Sequence, residues 1–527
     1  MKIKTVLFTT ALTALSATAA TAQITGPSTA TEPYVLPSTA GVSTVSILTT
    51  GESVGGYRMA GIPDGLGAWE ADDGLFNVVF NHEIEKHRGV VRAHGAIGAF
   101  VSRWEIDGDD LSVLSGRDHM TAPTDMHTWN GTGYTAGPNA MDRLCSADLA
   151  AKNAYHGKHG LGTAHRIFLS GEEDFPPFEP DHGRMFAHIV SGPEANETYE
   201  LPRLGKASWE NGLASPHRQD RTVVMLTDDA GRATNATIAS TCRALRQPNC
   251  SDPPSELYMY VGNKQHGGNE IERAGLTNGL FYGMRVIADG LPVTGESATN
   301  VFGSVGYLDT ARFEMITMGA GGDVSNTTGV AIQDEAITRQ VTQFIRIEDG
   351  AWDPRPGHER DFYFVTTGRI TVATWLPSRL WRVRFDDISQ PELGGTITMV
   401  LSNAFETDTT NGAQYQMFDN LAIDGLGRAI LQEDVGSNVR LGRIYAYGLD
   451  TGTLVRVAAH NPQFFTTAGA SFQTIDEESS AAVDASDFLG EGWFVLVSQN
   501  HRVSPDPELG EGGQLLAMFI DPEIALE

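Results

Sequence analysis

WENGLASPHRQDRTVVMLTDD (209–229), EDGAWDPRPGHERDFYFVTTG (348–368) and FDNLAIDGLGRAILQEDVG (418–436) repeat one plan along the chain. Each begins with an acid or amide, passes through Gly, Leu and small apolar residues to a Pro/Gly turn, and then enters an apolar run. Turn residues of this kind supply the tight reversal that leads into a strand. The run ends in a cluster of ligand-type polar residues. Working outward, the same ending recurs in NVVFNHE (77–83), RIFLSGEED (166–174) and GWFVLVSQNH (492–501). Each of the six runs is followed by a second strand-like one: FVSRWEID from Phe100, RMFAHIVS from Arg184, ELYMYVGN from Glu256, RLWRVRFD from Arg379, GRIYAYGL from Gly442 and QLLAMFID from Gln514. A strand pair recurring six times predicts an all-β fold, a six-bladed β-propeller with long insertions. The ligand-bearing runs are expected to be the innermost strands, with their polar ends converging on the central channel.

On that reading Asn81, Glu83, Glu172, Glu173, Asp228, Asp229, Glu433 and Asp434, far apart in sequence, share one site. A carboxylate cluster of this density suits hard metal ions. Like charges a few ångströms apart cannot all ionise without cations between them.

The first 22 residues read as an export signal: Lys2 and Lys4, an apolar stretch, then Ala20-Thr21-Ala22 as the cleavage pattern. The mature chain is expected to begin near Gln23 and to work in the periplasm or outside the cell. No later apolar run reaches the roughly 18 residues of a membrane span, so no stable membrane insertion is expected. With 66 acidic residues against 37 Lys and Arg, the net charge is −29. Nucleic-acid binding is disfavoured, because it depends on Lys and Arg neutralising phosphates. The surplus charge reads as a solvated acidic surface, as carboxylates kept to hold cations, or as both.

Residues 23–527 read as a single propeller domain, monomeric, with a lead-in before Tyr57. Segment 263–344 breaks the rhythm and reads as an insertion over the channel mouth, with one helix expected at 331–346. Of three cysteines, Cys242 and Cys250 flank a short loop and can pair in an oxidising compartment. Cys145 is left over, either as a buried inert thiol or as a metal-ligating thiolate. His82 and His87 are five apart, one too many for a zinc-protease helix, and that motif is discarded. No Gly-x-Ser-x-Gly elbow or P-loop is present. The acidic run from Asp476 to Ser480 reads as a surface loop or, through Glu477 or Glu478, as a further calcium ligand where the last blade meets the first.

Four patches are similar to the PhoX-type alkaline phosphatases, calcium- and iron-dependent six-bladed propellers. They are Asn81-His82-Glu83; Cys145 followed by LGTAHRIFLSGEED; GKASWENG followed by VVMLTDD; and FIRIEDGAWDP with DFYFVTTG and FDNLAIDGLGRAILQED. They keep the family's order across roughly residues 75–435. The departures are a longer gap from Cys145 to Glu173 with HGKHG inserted, Trp209-Glu210-Asn211 for the family's His-Glu-Gly, Gln432-Glu433-Asp434-Val435 for its Gln-Thr-Asp-Gly, and an export signal without twin arginines. The resemblance implies iron (Fe3+) on Cys145, Glu173 and Glu210. It implies calcium (Ca2+) on Glu83, Glu348 and Asp434, with Asn81 nearby in the catalytic set and Arg346 gripping phosphate. The implied reaction is hydrolysis of a small-molecule phosphate monoester. The alternatives are another metal-dependent propeller hydrolase, of phosphotriesterase, phytase or lactonase type, and a non-enzymatic calcium-binding propeller.

Overall fold

Small residues, rather than bulky ones, mark the strands that line the axis. The computed structural model describes residues 23–174, 183–229, 255–296, 310–370, 375–403 and 415–526. The leader and the Cys242/Cys250 pair therefore lie outside the described residues. After β1 (Val42–Thr49) the chain forms a meander of β2 (Pro63–Glu70), β3 (Leu75–His82), β4 (Phe100–Asp107) and β5 (Val113–Asp118), each antiparallel to the one before. A second meander follows in β6 (Leu144–Leu149), β7 (Ile167–Glu172), β8 (Met185–Ile189) and β9 (Thr198–Glu200). A third comprises β10 (Trp209–Ala214), β11 (Arg221–Asp228), β12 (Ser255–Asn263) and β13 (Leu280–Ala288).

Beyond β14 (Thr310–Thr317) the pattern resumes with β15 (Ile347–Trp352), β16 (Asp361–Thr366), β17 (Arg379–Phe385) and β18 (Gly395–Ser402). It continues with β19 (Phe418–Ile423), β20 (Arg428–Glu433), β21 (Arg443–Gly448) and β22 (Leu454–His460). The last meander, β23 (Glu477–Asp484), β24 (Trp493–Asn500) and β25 (Gly512–Ile520), takes β1 as its outer strand. The two ends of the described chain are thereby hydrogen-bonded into one sheet. The first strands of successive meanders lie side by side, and β23 comes back against β2, giving a nearly closed, barrel-like ring. Within it β2 and β6 pair in parallel through Leu66 and Asp148. The architecture is propeller-like and mostly β.

The runs read from sequence as innermost are in fact second strands: β3, β7, β11, β16, β20 and β24. The lining strands are the ones before them, and in three sectors these are the preambles WENGLA, IEDGAW and FDNLAI. The reason is packing. A second strand is buried on both faces: Phe76, Val78 and Phe80 enter one core with Trp104 and Val495, while Val79 enters another with Phe168 and Phe186. Such strands read as continuous apolar runs. A lining strand must instead pass close to its neighbours. A Cβ on Gly65 would lie 2.2 Å from the Ala147 amide nitrogen, and one on Gly350 would lie 2.5 Å from the Phe362 ring.

The longer strands described within segment 263–344, β13 and β14, lie at the periphery. β13 is the fourth strand of its meander, and β14 joins β13 to β18 along the outer edges of two meanders. The segment's longest described helix, α1 (Gly329–Thr338), starts at Thr328, whose hydroxyl accepts from the Ala331 amide. The helix stops well short of 346, because Gln340 takes a left-handed conformation at φ 59° and Gln343–Phe344 pairs with the start of β12.

Candidate metal centre

Every lining strand starts the same way. Its second residue is Asp64, Cys145, Glu210, Glu348, Asp419 or Glu478. All six are ligand-type side chains. Close to that residue the pairing with the second strand slips register in every sector. Bulges of this kind re-aim side chains and are common beside active sites.

A second tier is formed by the residue that follows each second strand: Glu83, Glu173, Asp229, Thr367, Asp434 and His501. Each donates its backbone N–H to the carbonyl just before the lining strand, at Ile62, Arg143, Ser208, Arg346, Met417 and Asp476, over 2.9, 3.0, 2.9, 3.0, 3.1 and 3.1 Å. Four of those entry residues, Ile62, Arg143, Arg346 and Met417, have left-handed backbones, with φ of 51°, 35°, 57° and 47°. Non-glycine residues adopt that region at a cost, and it recurs at functional sites.

Strand alternation corrects the sequence-derived list. Glu172, Asp228 and Glu433 point away from the tiers. Glu172 is clasped by Arg184 (Nη2–Oε1 2.6 Å), Asp228 accepts from the Ser208 amide, and Glu433 pairs with Arg440. Asn81, two residues before Glu83 and on the same face of β3, donates its amide to the carbonyls of Leu144 (2.9 Å) and Cys145. It positions the strand that carries the thiol. His82 is a core residue held between the Gly61 carbonyl and Ser102, and burial pushes its pKa down to about 3.

The six sequence-predicted metal residues fall at one end of the ring. Ligand atoms of Asp64, Glu83 and Cys145 lie within 4.8 Å of one another, as do those of Glu210, Glu348 and Asp419, and those of Asp419, Asp434 and Glu478. Asp419 thus belongs to two groups. The grouping sets Cys145 beside Glu83 and Asp64 (Sγ–Oδ2 3.4 Å), whereas Glu173 is held by Arg143 (2.6 Å), which also binds Glu83. Arg346 reaches Asp229 (2.7 Å) and Glu348 (2.6 Å), and the Thr367 hydroxyl donates to Glu348 (2.9 Å). Gln499 donates to Asp64 (3.0 Å) and Glu83 (3.2 Å).

Burial, and then mutual repulsion, push the Asp64 and Asp419 carboxyls up. Glu173 and Glu348 also rise by burial, although Arg143 and Arg346 oppose it. Glu210 rises to about 8 and Asp434 to about 6, mainly by burial. Burial and the adjoining carboxylates also raise the Cys145 thiol. His501 contrasts with them. Burial works against its charge, yet Glu478 (3.3 Å) and Glu511 (2.8 Å) raise its pKa well above normal. His501 in turn holds Glu478 low against burial.

The residues fit bound cations. Asp64 Oδ1 is buried with no hydrogen-bond partner, an arrangement that is costly unless a cation answers it. Oxygen donors suit hard ions, and the single thiol adds a soft ligand of transition-metal type. Below the tiers the channel is bridged by Asn420 to Ser146 (2.6 Å) and Asn211 to Asp349 (2.7 Å). A separate cavity of about 530 Å³ opens beyond that floor, among Leu66, Leu149, Leu213, Ile423 and Val483.

Asp64, Asp419, Glu478, Thr367, His501 and Arg143 were not in the sequence-derived ligand set. Asp419 occupies the same place in FDNLAI as Glu210 in WENGLA, so aligning the preambles finds it. PDGLGAW shares that plan at Asp64. Glu478 was legible only as one alternative.

Fold and site together define a propeller-like β protein with a two-tiered, carboxylate-rich centre. Its fold is similar to that of Pseudomonas fluorescens PhoX, solved in complex with vanadate, with a TM-score of 0.59 and 13% identity over 92% of this chain and 95% of that one. A Bacteroides fragilis protein described as a 6-phosphogluconolactonase aligns at a TM-score of 0.30 and 11% identity, covering 80% and 94% of the two chains. A Synechocystis apocarotenoid oxygenase aligns at 0.31 and 10%, covering 76% and 62%. These two are too distant to bear on the fold. No family model matches the chain, and no curated protein matches it.

Proposed function

We propose that the chain is an exported, metal-dependent phosphomonoesterase, alkaline phosphatase-like, built as a monomeric six-bladed propeller of residues 23–527 after loss of 1–22. The observation that carries this reading is the pair of tiers, in which every position bears a ligand-type or hydroxyl side chain and the cations beside them are Arg143, Arg346 and His501. Support for six blades comes from the six lining strands, one from each meander. The vanadate complex of the similarly folded PhoX is in keeping with phosphoryl chemistry. No helix among the described residues is long and apolar enough to cross a membrane.

Asp64, Glu83 and Cys145 would hold one ion, with Glu173 alongside; Glu210, Glu348 and Asp419 would hold another, and Asp419, Asp434 and Glu478 a third. The thiol group suits iron and the all-carboxylate groups suit calcium. Bound metal supplies positive field and an acidified water in a chain that otherwise repels phosphate. Arg346, planar, permanently charged and partly exposed, grips two oxygens of the ester phosphate. Asp229 and Glu348 fix its orientation. Asn81 anchors the backbone of Cys145, and Thr367 orients Glu348.

The test is turnover of a simple phosphomonoester at neutral to alkaline pH by protein loaded with calcium and iron, with metal content measured on the same sample. Hydrolysis with both metals bound is expected. Calcium without iron, and no turnover, leaves a calcium-stabilised binding propeller in its place.

A further inference from the structure

We infer that Arg143 is a second substrate-gripping cation of this site, and that the preferred ester carries a second anionic group, another phosphate or a carboxylate, away from the scissile phosphate. The inference rests on the phosphatase reading above. Arg143 and Arg346 hold the same place in the repeat, two residues before the ligands Cys145 and Glu348. Both have left-handed backbones, at 35° and 57°, and the carbonyl of each accepts from a second-tier amide at 3.0 Å. Each guanidinium bridges two tier carboxylates, and each side chain is 32% exposed.

The fold does not require arginine there. Ile62 and Met417 fill the same place in other sectors with the same backbone, at 51° and 47°, and carry no charge. Arg184, which clasps Glu172 just outside the tiers, is by contrast only 2% exposed. Arg143 therefore supplies a charge that reaches solvent at the mouth of the site. Its partners belong to the first two sectors, whereas those of Arg346 belong to the third and fourth. The two forks stand on different arcs of the ring, so a ligand with two anionic groups can engage both at once. A cation held at Glu83 would compensate that carboxylate, and the Arg143 fork would then meet the ligand's second anionic group.

The experiment compares fructose 1,6-bisphosphate with fructose 6-phosphate, using metal-loaded full-length protein. The readouts are kcat/KM, calorimetric affinity and bound calcium and iron. Wild type should favour the bisphosphate. In Arg143→Gln the ratio of the two kcat/KM values should fall roughly tenfold or more, and bisphosphate affinity should fall with it, at unchanged metal content. Arg143→Lys, which keeps the charge and loses the fork, should lie between. Arg346→Gln should depress both substrates and leave their ratio nearly constant. Equal loss on both substrates, loss of metal, or no preference in wild type would overturn the assignment. If wild type turns over neither sugar phosphate, the phosphatase reading fails; the affinities still judge Arg143, supporting it if the bisphosphate binds more weakly to Arg143→Gln than to wild type and refuting it if the two match.

Discussion

Cys145 is the one sulfur donor in the described tiers, surrounded by oxygen, and its substitution separates the two kinds of metal. Carboxylates alone satisfy calcium, whereas a thiolate favours a transition metal. Cys145→Ala is expected to strip iron and leave calcium bound, as read by elemental analysis. Parallel loss of both metals would show that the thiol serves the whole cluster. Arg346 makes the complementary case, since a guanidinium is not a metal ligand. Arg346→Ala should keep its metals and lose turnover by roughly 10²–10³, the ~2.7–4 kcal/mol that one preorganised stabiliser of transition-state charge contributes. A fall in metal content in that variant would instead make Arg346 a scaffold for Asp229 and Glu348.

The lining strands explain what could and could not be read in advance. A second strand such as β11, with Val223, Val224, Met225 and Leu226 all buried, announces itself as a strand, and so do its partner β12 and, in the next sector, β17 beside β16. A lining strand has one face in a polar channel and the other pressed on its neighbours, so it reads as acid, amide, Gly and Ala. That composition looks like a turn, and it hid Asp64 and displaced the blade centres by one strand. Glu83, Glu173 and Asp434 were found because they end apolar runs. Glu172 and Glu433, one residue earlier, were pooled with them because only the pleat decides which side each faces. Cys145 stood out as the odd cysteine, whereas its ligand role and that of Glu210 came from resemblance. Close approach in the lining strands is testable. Gly65→Val sets a Cβ 2.2 Å from a backbone atom and should lower stability by about 1–3 kcal/mol, visible in thermal melts. Gly425→Ala, with open space around its Cβ, should melt like wild type. Equal melting of the two variants would mean that the ring is looser than this packing implies.

At the scale of the whole molecule, pH and metal should act on stability in opposite senses. Glu210 is held up to about 8 in the folded chain, while an unfolded glutamate titrates at about 4.3. The folded metal-free protein therefore keeps a proton that the unfolded chain has released. A raised carboxyl contributes its full stability only below the unfolded value, and that contribution is lost as pH climbs through about 8. Buried histidines act in the other direction: His119 and His460 are pushed down by burial to about 3 and about 4. Their effect is confined to pH below about 6.5. Lys264, pulled down to about 7 chiefly by burial, also opposes the trend above neutrality, so an absolute melting curve mixes the terms. Comparison with Glu210→Gln cancels them, because the variant shares every group but one. Without metal, the wild type should lose stability relative to Glu210→Gln between pH 6 and pH 8.5. With calcium and iron the order should reverse, because metal replaces the proton on Glu210, binding strengthens as pH rises, and that binding contributes folding free energy. Calorimetric melts of the two proteins at both pH values, stripped and loaded, check all four combinations. A stripped wild type that holds its margin over the variant at pH 8.5 would mean that the tiers are not the crowded, cation-requiring centre on which the phosphatase reading depends.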